Sequence, residues 1–168
     1  MITILSGTNR SGSNSFKVAK EYHRIITEKG QPVSLYSLEN LDVTKRGEDF
    51  IRFEKEVIIP ANHLLFIVPE YNGSFPGVLK MLFDTGESHS IWFHKKAFLT
   101  GVSTGRAGNL RGMDHLADIL NYLKITTHPN KLPISSVDKL MDEEGRFIDP
   151  ATLQAIDQQI NEFIVWIK

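Results

Sequence analysis

Ile2-Thr3-Ile4-Leu5-Ser6-Gly7-Thr8-Asn9-Arg10-Ser11-Gly12-Ser13-Asn14-Ser15 is the stretch that decides the fold. Ile2 to Ser6 is a short apolar run, the pattern of a buried strand. Gly7 ends it, and Gly7 to Ser15 has the small, polar composition of a loop. Helical period follows at once, with Phe16, Ala19, Tyr22, His23 and Ile26 at three- and four-residue spacing. Ser13 or Asn14 is placed to cap that helix, and Gly30 to stop it. A strand that passes through a tight polar loop into a helix is the opening of a β–α–β unit.

The same alternation continues outward along the chain. Val33 to Leu38 reads as a second strand, and about Glu48 to Ile59 as a short charged helix ending before Pro60. His63 to Val68 is unbroken and apolar after the histidine, which suits a strand covered on both faces of a parallel sheet. Pro69 stops it, Gly73 to Pro76 turns, and Val78, Leu79, Leu82 and Phe83 start another helix. Lys96 to Val102 is a fourth strand. Leu110 to Leu123 is an amphipathic helix, with apolar residues at 113, 116, 117, 120 and 123. Ile125 to His128 is read as the fifth strand and Leu153 to Ile167 as the closing helix. Ile134 to Pro150 is charged and loop-like. This order predicts one flavodoxin-like α/β domain over residues 1–168. It is a three-layer sandwich around a five-stranded parallel sheet of order 2-1-3-4-5.

Composition narrows the chemistry. The 168 residues carry a formal charge of −1, with 41% hydrophobic and 23% charged residues, as in an ordinary globular domain. The basic residues are scattered, so no nucleic-acid-binding face is expected. No segment approaches the roughly 20 apolar residues of a membrane span, so no membrane partner is expected. The N-terminus has no basic flank or cleavage site, and it reads as a strand rather than a signal peptide. The chain contains no cysteine. Disulfides, thiolate catalysis and cysteine-ligated clusters are therefore excluded, and a cytoplasmic location is expected. Any redox chemistry has to come from a bound group.

Ligands of open α/β sheets bind beyond the carboxyl ends of the strands, and three loops leave those ends here. In Gly7 to Ser15, free N–H groups and a helix dipole favour an anion. The hydroxyls of Thr8, Ser11, Ser13 and Ser15, the Asn14 amide and the Arg10 guanidinium can all serve phosphate oxygens. The loop is neither a Walker A nor a dinucleotide glycine fingerprint. A polar turn with a helix cap accounts for it equally well. The second loop, Pro69-Glu70-Tyr71-Asn72-Gly73-Ser74-Phe75-Pro76-Gly77, offers a constrained backbone against which a flat ring can rest. Tyr71 can pack on an aromatic ligand. The third, Ser103-Thr104-Gly105-Arg106-Ala107-Gly108-Asn109, can offer N–H donors to a ring edge; Arg106 can stabilise charge there or attract a phosphorylated co-substrate, but taken alone it reads rather as a solvated loop arginine.

The order of these loops resembles the NADPH-dependent FMN reductase family, which includes quinone, chromate and azo-dye reductases. Gly7-Thr8-Asn9-Arg10-Ser11-Gly12-Ser13 matches its Gly-Ser-x-Arg-x-x-Ser loop. Pro69-Glu70-Tyr71-Asn72-Gly73-Ser74-Phe75-Pro76-Gly77-Val78-Leu79-Lys80 matches its longer second block. The resemblance covers roughly the first 125 residues. It implies that Thr8, Arg10, Ser13, Asn14 and Ser15 hold an FMN phosphate. Pro69, Glu70, Tyr71, Asn72 and Gly73 would border the isoalloxazine ring, with Ser103, Thr104, Gly105 and Arg106 near its pyrimidine end. NADPH or NADH would be the electron donor and a small molecule the acceptor. The chain departs from the family pattern between Phe83 and Phe93 and at Ser103-Thr104-Gly105-Arg106, segments that bear on the nicotinamide and acceptor sites. A flavodoxin-like electron carrier is the alternative reading, although a charge of −1 steers a basic partner only weakly.

None of the six histidines has metal-ligand spacing, and no metal site is expected. No side chain is singled out as a catalytic acid or base. His89 and His94 flank Trp92 and Phe93 in a segment expected near the flavin face. Burial of that aromatic pair between subunits is expected as well, in line with the homodimers or homotetramers that the resemblance implies. Asp142-Glu143-Glu144 reads as a solvated loop.

Overall fold

The computed structural model describes residues 1–86 and 89–168, with His89 described by its backbone alone. Three strands build the centre: β1 (Ile2–Ser6), β3 (His63–Pro69) and β4 (Lys96–Val102). β2 (Val33–Ser37) lies outside β1. With β5 (Thr126–Thr127) outermost on the other side, the order β2-β1-β3-β4-β5 is parallel throughout. The helices are α1 (Asn14–Glu28), α2 (Glu48–Phe53), α3 (Gly77–Thr85), α4 (Leu110–Tyr122) and α5 (Pro150–Ile167). The flavodoxin-like fold expected from the sequence is the fold observed.

Two apolar cores flank the sheet, and the strands supply them alternately. Leu64, Phe66 and Val68 face the α2–α3–α4 side, whereas Leu65 and Ile67 face the α1–α5 side. A strand covered on both faces needs no polar residue in its register, which is why the β3 run is unbroken. The α2 region begins where the charged helix was expected, but Glu54–Ile58 winds as a wider π-turn closed by Ile59 N–H on Glu54 O, 2.8 Å. Lys95, buried and held below the usual lysine range by that burial, donates to the carbonyls of Ala61 (2.5 Å) and Ile59 (3.4 Å).

The fifth strand position differs from expectation. It is filled by two short strands in succession, β5 (Thr126–Thr127) and β6 (Leu132–Ile134), both parallel to β4. Pro129, in the gap between them, has no N–H to give the ladder. The gap leaves the carbonyl of Leu99 free, and Gln159 Nε2 takes it at 3.1 Å while also bonding Asn130 O at 3.2 Å. Gln159 Oε1 in turn accepts from the Tyr22 hydroxyl at 2.5 Å, with Thr100 Oγ1 3.0 Å from both groups. Burial pushes the Tyr22 phenol well up, so it stays a neutral donor. One buried amide thereby ties α5 to β4, α1 and the interrupted edge.

The segment before β4 corrects two expectations. Glu87, Ser88 and the His89 side chain lie outside the described residues, so that part of the Ser88–Phe93 reading has no structural counterpart. Trp92 is 1% exposed within the chain's own core, with its ring 5.0 Å from Phe83. No second subunit is needed to cover it. Phe93 receives Lys124 Nζ at 4.3 Å from its ring centroid. The segment leads into Lys96, the first residue of β4, and His94 N–H bonds Lys124 O at 3.0 Å just before β5. It therefore sits at the amino edge of the sheet, opposite the loops expected to hold a flavin. The short α3 already returns the chain to that edge.

Candidate functional site

β1, β3 and β4 end side by side at Ser6, Pro69 and Val102, and the three polar loops leave from there. The first loop turns directly into α1. Ser13 caps that helix, accepting from Phe16 N at 3.3 Å, and buried Ser15 donates to Ser13 Oγ at 3.1 Å. The remaining first-turn N–H groups and the dipole of a 15-residue helix face the groove above.

The second loop is a tight reversal. Tyr71 and Ser74 exchange backbone bonds of 2.8 and 3.1 Å around Asn72 and Gly73, whose φ angles are 52° and 77°. Both positions of such a two-residue turn require positive φ, which explains the Asn-Gly pair. The first two loops are locked together. Thr8 Oγ1 lies 2.7 Å from the Tyr71 hydroxyl and accepts Arg10 N–H at 3.3 Å. The Arg10 guanidinium stacks 4.3 Å from the Tyr71 ring centroid.

The third loop is held from two sides. Ser103 Oγ donates to Gly105 O at 2.9 Å and accepts from Gly108 N at 2.9 Å. Ser136 N bonds Gly105 O at 2.9 Å and Val137 N bonds Ser103 O at 3.1 Å. The stretch after β6 thus braces the loop from outside.

Asn109 joins the second loop to the third. It is 1% exposed, in left-handed backbone with φ 61°, and it opens α4. Its Nδ2 donates to Val68 O and Pro69 O, both at 3.0 Å, and its N–H reaches Glu70 Oε2 at 3.2 Å. A Cβ on Gly112 would fall 2.1 Å from Asn109 Oδ1, so the amide fits only because residue 112 has no side chain.

Two adjoining cavities result. One, of about 230 Å³, runs from Arg10, Ser13, Asn14 and Ser15 to Pro69, Glu70 and Tyr71, with Ser103 and Thr104 beside them. The other, of about 360 Å³, is lined by Glu70, Asn72, Gly73, Ser103, Thr104, Gly105 and Arg106. They share Glu70, Ser103 and Thr104, and together they fall in the roughly 300–1,000 Å³ range of small-molecule sites. Every residue named from the sequence lines one or the other except Thr8. Thr8 is fully buried, and its hydroxyl is engaged by Tyr71 beneath the groove. Sequence reasoning missed Val102 and Val137, which add apolar wall to the first cavity, and Asn109, which braces it. An asparagine just before a helical period is a capping signal that points to Asn109. Val137 lies in a stretch with no period to read.

The arrangement has a donor-rich anion end, a flat partly apolar middle and a polar rim. A phosphate, a planar ring and a ring edge match these in turn. FMN has those parts in that order, so the residues present fit it. Among the described residues no acidic or histidine cluster suited to a metal ion occurs.

A flavodoxin-like sheet whose three carboxyl-end loops form such a groove defines a nucleotide-cofactor protein. The family model described as NADPH-dependent FMN reductase matches residues 1–139, and the chain belongs to that family. It is thus an oxidoreductase that uses FMN with a reduced nicotinamide as electron donor. An NAD(P)H-dependent FMN reductase of Pseudomonas aeruginosa is 30% identical over 175 residues, covering 98% of this chain and 93% of that protein. A quinone reductase of Pseudomonas putida is 26% identical, covering 99% and 94% respectively. Among solved structures, the NAD(P)H:acceptor oxidoreductase FerB of Paracoccus denitrificans superposes with a TM-score of 0.83 at 21% identity, covering 99% of this chain and 96% of that one.

Asn109→Ala removes both buried donor bonds and puts alanine in left-handed backbone. It should cost about 2–4 kcal/mol. Asn109→Gly, which tolerates the backbone, should cost less. Chemical denaturation midpoints of the two variants check this order, and equal losses would sink it.

Proposed function

We propose that the chain, acting as a single domain, carries electrons from a reduced nicotinamide through bound FMN to a small acceptor. That acceptor is a quinone, a flavin, an azo compound or a metal oxyanion. The observation that carries this reading is the continuous groove from the α1 N-terminus to the Asn72–Gly73 turn. Bound FMN supplies the hydride-accepting and electron-releasing chemistry.

The protein binds and orients. Arg10, Ser13, Asn14 and Ser15 hold the phosphate. Thr8 fixes Tyr71, and so the Arg10 guanidinium stacked on it. Pro69, Glu70, Tyr71, Asn72 and Gly73 border the ring, and Ser103, Thr104, Gly105 and Arg106 meet its pyrimidine end. Val102 and Val137 line the same cavity and would give the ring an apolar wall that excludes water. The Glu70 carboxylate accepts from Asn109 N–H, which would fix its position beside the ring. No side chain has to take or give a proton, in keeping with a cofactor that does the chemistry.

A cytoplasmic homodimer or homotetramer completes the proposal. The absence of cysteine supports the compartment. An apolar groove between α3 and α4, beside the exposed Tyr122 and Met81, supports association. Sedimentation should give a dimer or tetramer at micromolar concentration, and a strict monomer defeats that part. Cell fractionation should place the protein with cytoplasmic markers.

FMN-loaded protein should be yellow and should bleach anaerobically on adding NADPH or NADH. Yellow protein that neither nicotinamide bleaches would overturn the reductase reading. Arg10→Ala should weaken FMN binding by about 1.5–3 kcal/mol, read by fluorescence titration. Unchanged FMN affinity would remove Arg10 from the phosphate site.

A further inference from the structure

Of the seven arginines, Arg10, Arg106, Arg111 and Arg146 have no carboxylate within ion-pair distance among the described residues; Arg10 stands at the proposed phosphate end and Arg146 lines a separate cavity beside α1. Arg24, Arg46 and Arg52 each pair with a carboxylate, at 2.6, 3.0 and 2.5 Å. Arg106 and Arg111 both flank the open half of the groove. Arg106 lines the 360 Å³ cavity. Arg111, in the first turn of α4, places Nη1 3.1 Å from the point where a Cβ on Gly73 would lie. Gly73 lines the same cavity. The turn that needs glycine for its φ of 77° therefore also leaves room for a guanidinium.

The nearby acids do not neutralise this pair. Glu70 is held by Asn109 N–H at 3.2 Å. Asp114, on the turn of α4 after Arg111, is engaged by Lys131. One turn beyond Arg111, His115 Nδ1 lies 2.9 Å from Ser74 Oγ and adds a third polar nitrogen beside the same loop. In a chain of net charge −1, one guanidinium lining the cavity and a second against its Gly73 wall, both without acidic partners, are a local feature, not a general excess of base. Guanidinium forks match phosphate oxygens bidentately.

The rim lies at the other end of the groove from Arg10, where the FMN phosphate is proposed to sit. The FMN phosphate therefore does not reach it; Arg106 also stands at the proposed pyrimidine end of the ring, but Arg111 has no such role. Among the acceptors, an uncharged quinone gives a cation little to grip, and a flavin phosphate or a metal oxyanion would be gripped only when that acceptor is the one used. A nicotinamide dinucleotide always carries phosphate. We propose that Arg106 and Arg111 form a clamp for a phosphate of the dinucleotide donor. This rests on the reductase reading above and extends it to donor recognition.

The experiment uses FMN-loaded protein, an uncharged benzoquinone as acceptor, and both NADPH and NADH. Arg111→Gln, and Arg106→Gln with it, should raise the donor KM tenfold or more. Arg111→Lys should recover part of the loss. The salt dependence of the donor KM should flatten in the glutamine variants, because exposed charge interactions are screened. A rise confined to NADPH assigns the clamp to the 2′-phosphate; an equal rise for both assigns it to the pyrophosphate. Either supports the proposal. Donor KM values unmoved for both nicotinamides would overturn it. So would an effect confined to FMN retention or to an anionic acceptor. Titration with NADP⁺, followed by flavin fluorescence, reads the clamp without turnover. Weaker NADP⁺ binding in Arg111→Gln supports a clamp that grips the oxidised donor as well, even if wild-type protein fails to bleach. Unchanged NADP⁺ binding together with unchanged KM overturns it.

Discussion

The Asn109 amide donates to two consecutive carbonyls, those of Val68 and Pro69, where β3 leaves the sheet. A strand end normally leaves such carbonyls to solvent or to a loop of uncertain course. Here they are satisfied from the start of the next helix but one in space, so the β3 loop and the β4 loop share one anchor. The cost of that anchor is local. It requires left-handed backbone at Asn109 and a residue without a side chain at Gly112. In return the Pro69–Gly73 wall and the Ser103–Arg106 wall are fixed relative to each other, and the spacing between them sets what can lie in the groove. Thr8, Tyr71 and Arg10 do the same for the first two loops.

What could be read from the sequence follows the range of the forces involved. β1, its loop and α1 are specified by adjacent residues, and they stand where the pattern put them. β3 declares itself because burial on both faces writes an unbroken apolar run after His63, and β4 because its run from Ala97 to Leu99 is closed by a short loop. The interrupted fifth strand position was not legible. Pro129 disturbs the ladder locally, but the donor that makes the gap tolerable, Gln159, lies far along the chain on α5. Trp92 misled for the same reason. Its polar neighbours suggested a surface awaiting a partner, while its actual partner, Phe83, lies on the preceding helix and its burial is a tertiary fact. At the groove, residue types with obvious chemistry were found from their loops. The bracing by Ser136 and Val137 was not, since it uses backbone groups whose contacts no side-chain pattern encodes.

The groove also divides its labour by chemistry along its length. Hydroxyls, helix N–H groups and a guanidinium gather at the α1 end, apolar wall at Val102 and Val137, and backbone polarity with two more guanidiniums at the outer turn. A cysteine-free chain fits this plan: the protein holds and shields, and the electrons stay on what it binds.

The break between β5 and β6 has a meaning for the molecule's neighbours as well as for its interior. An unbroken outer strand would present a row of unpaired N–H and C=O groups, a template on which another chain could zip. Pro129 and Pro133 remove donors from that row, and the displaced residues between the two short strands spoil its register. The sheet is thereby closed to extension on that side. An edge so interrupted offers a second chain little to zip onto, which guards this margin of the sheet against fibre-like growth.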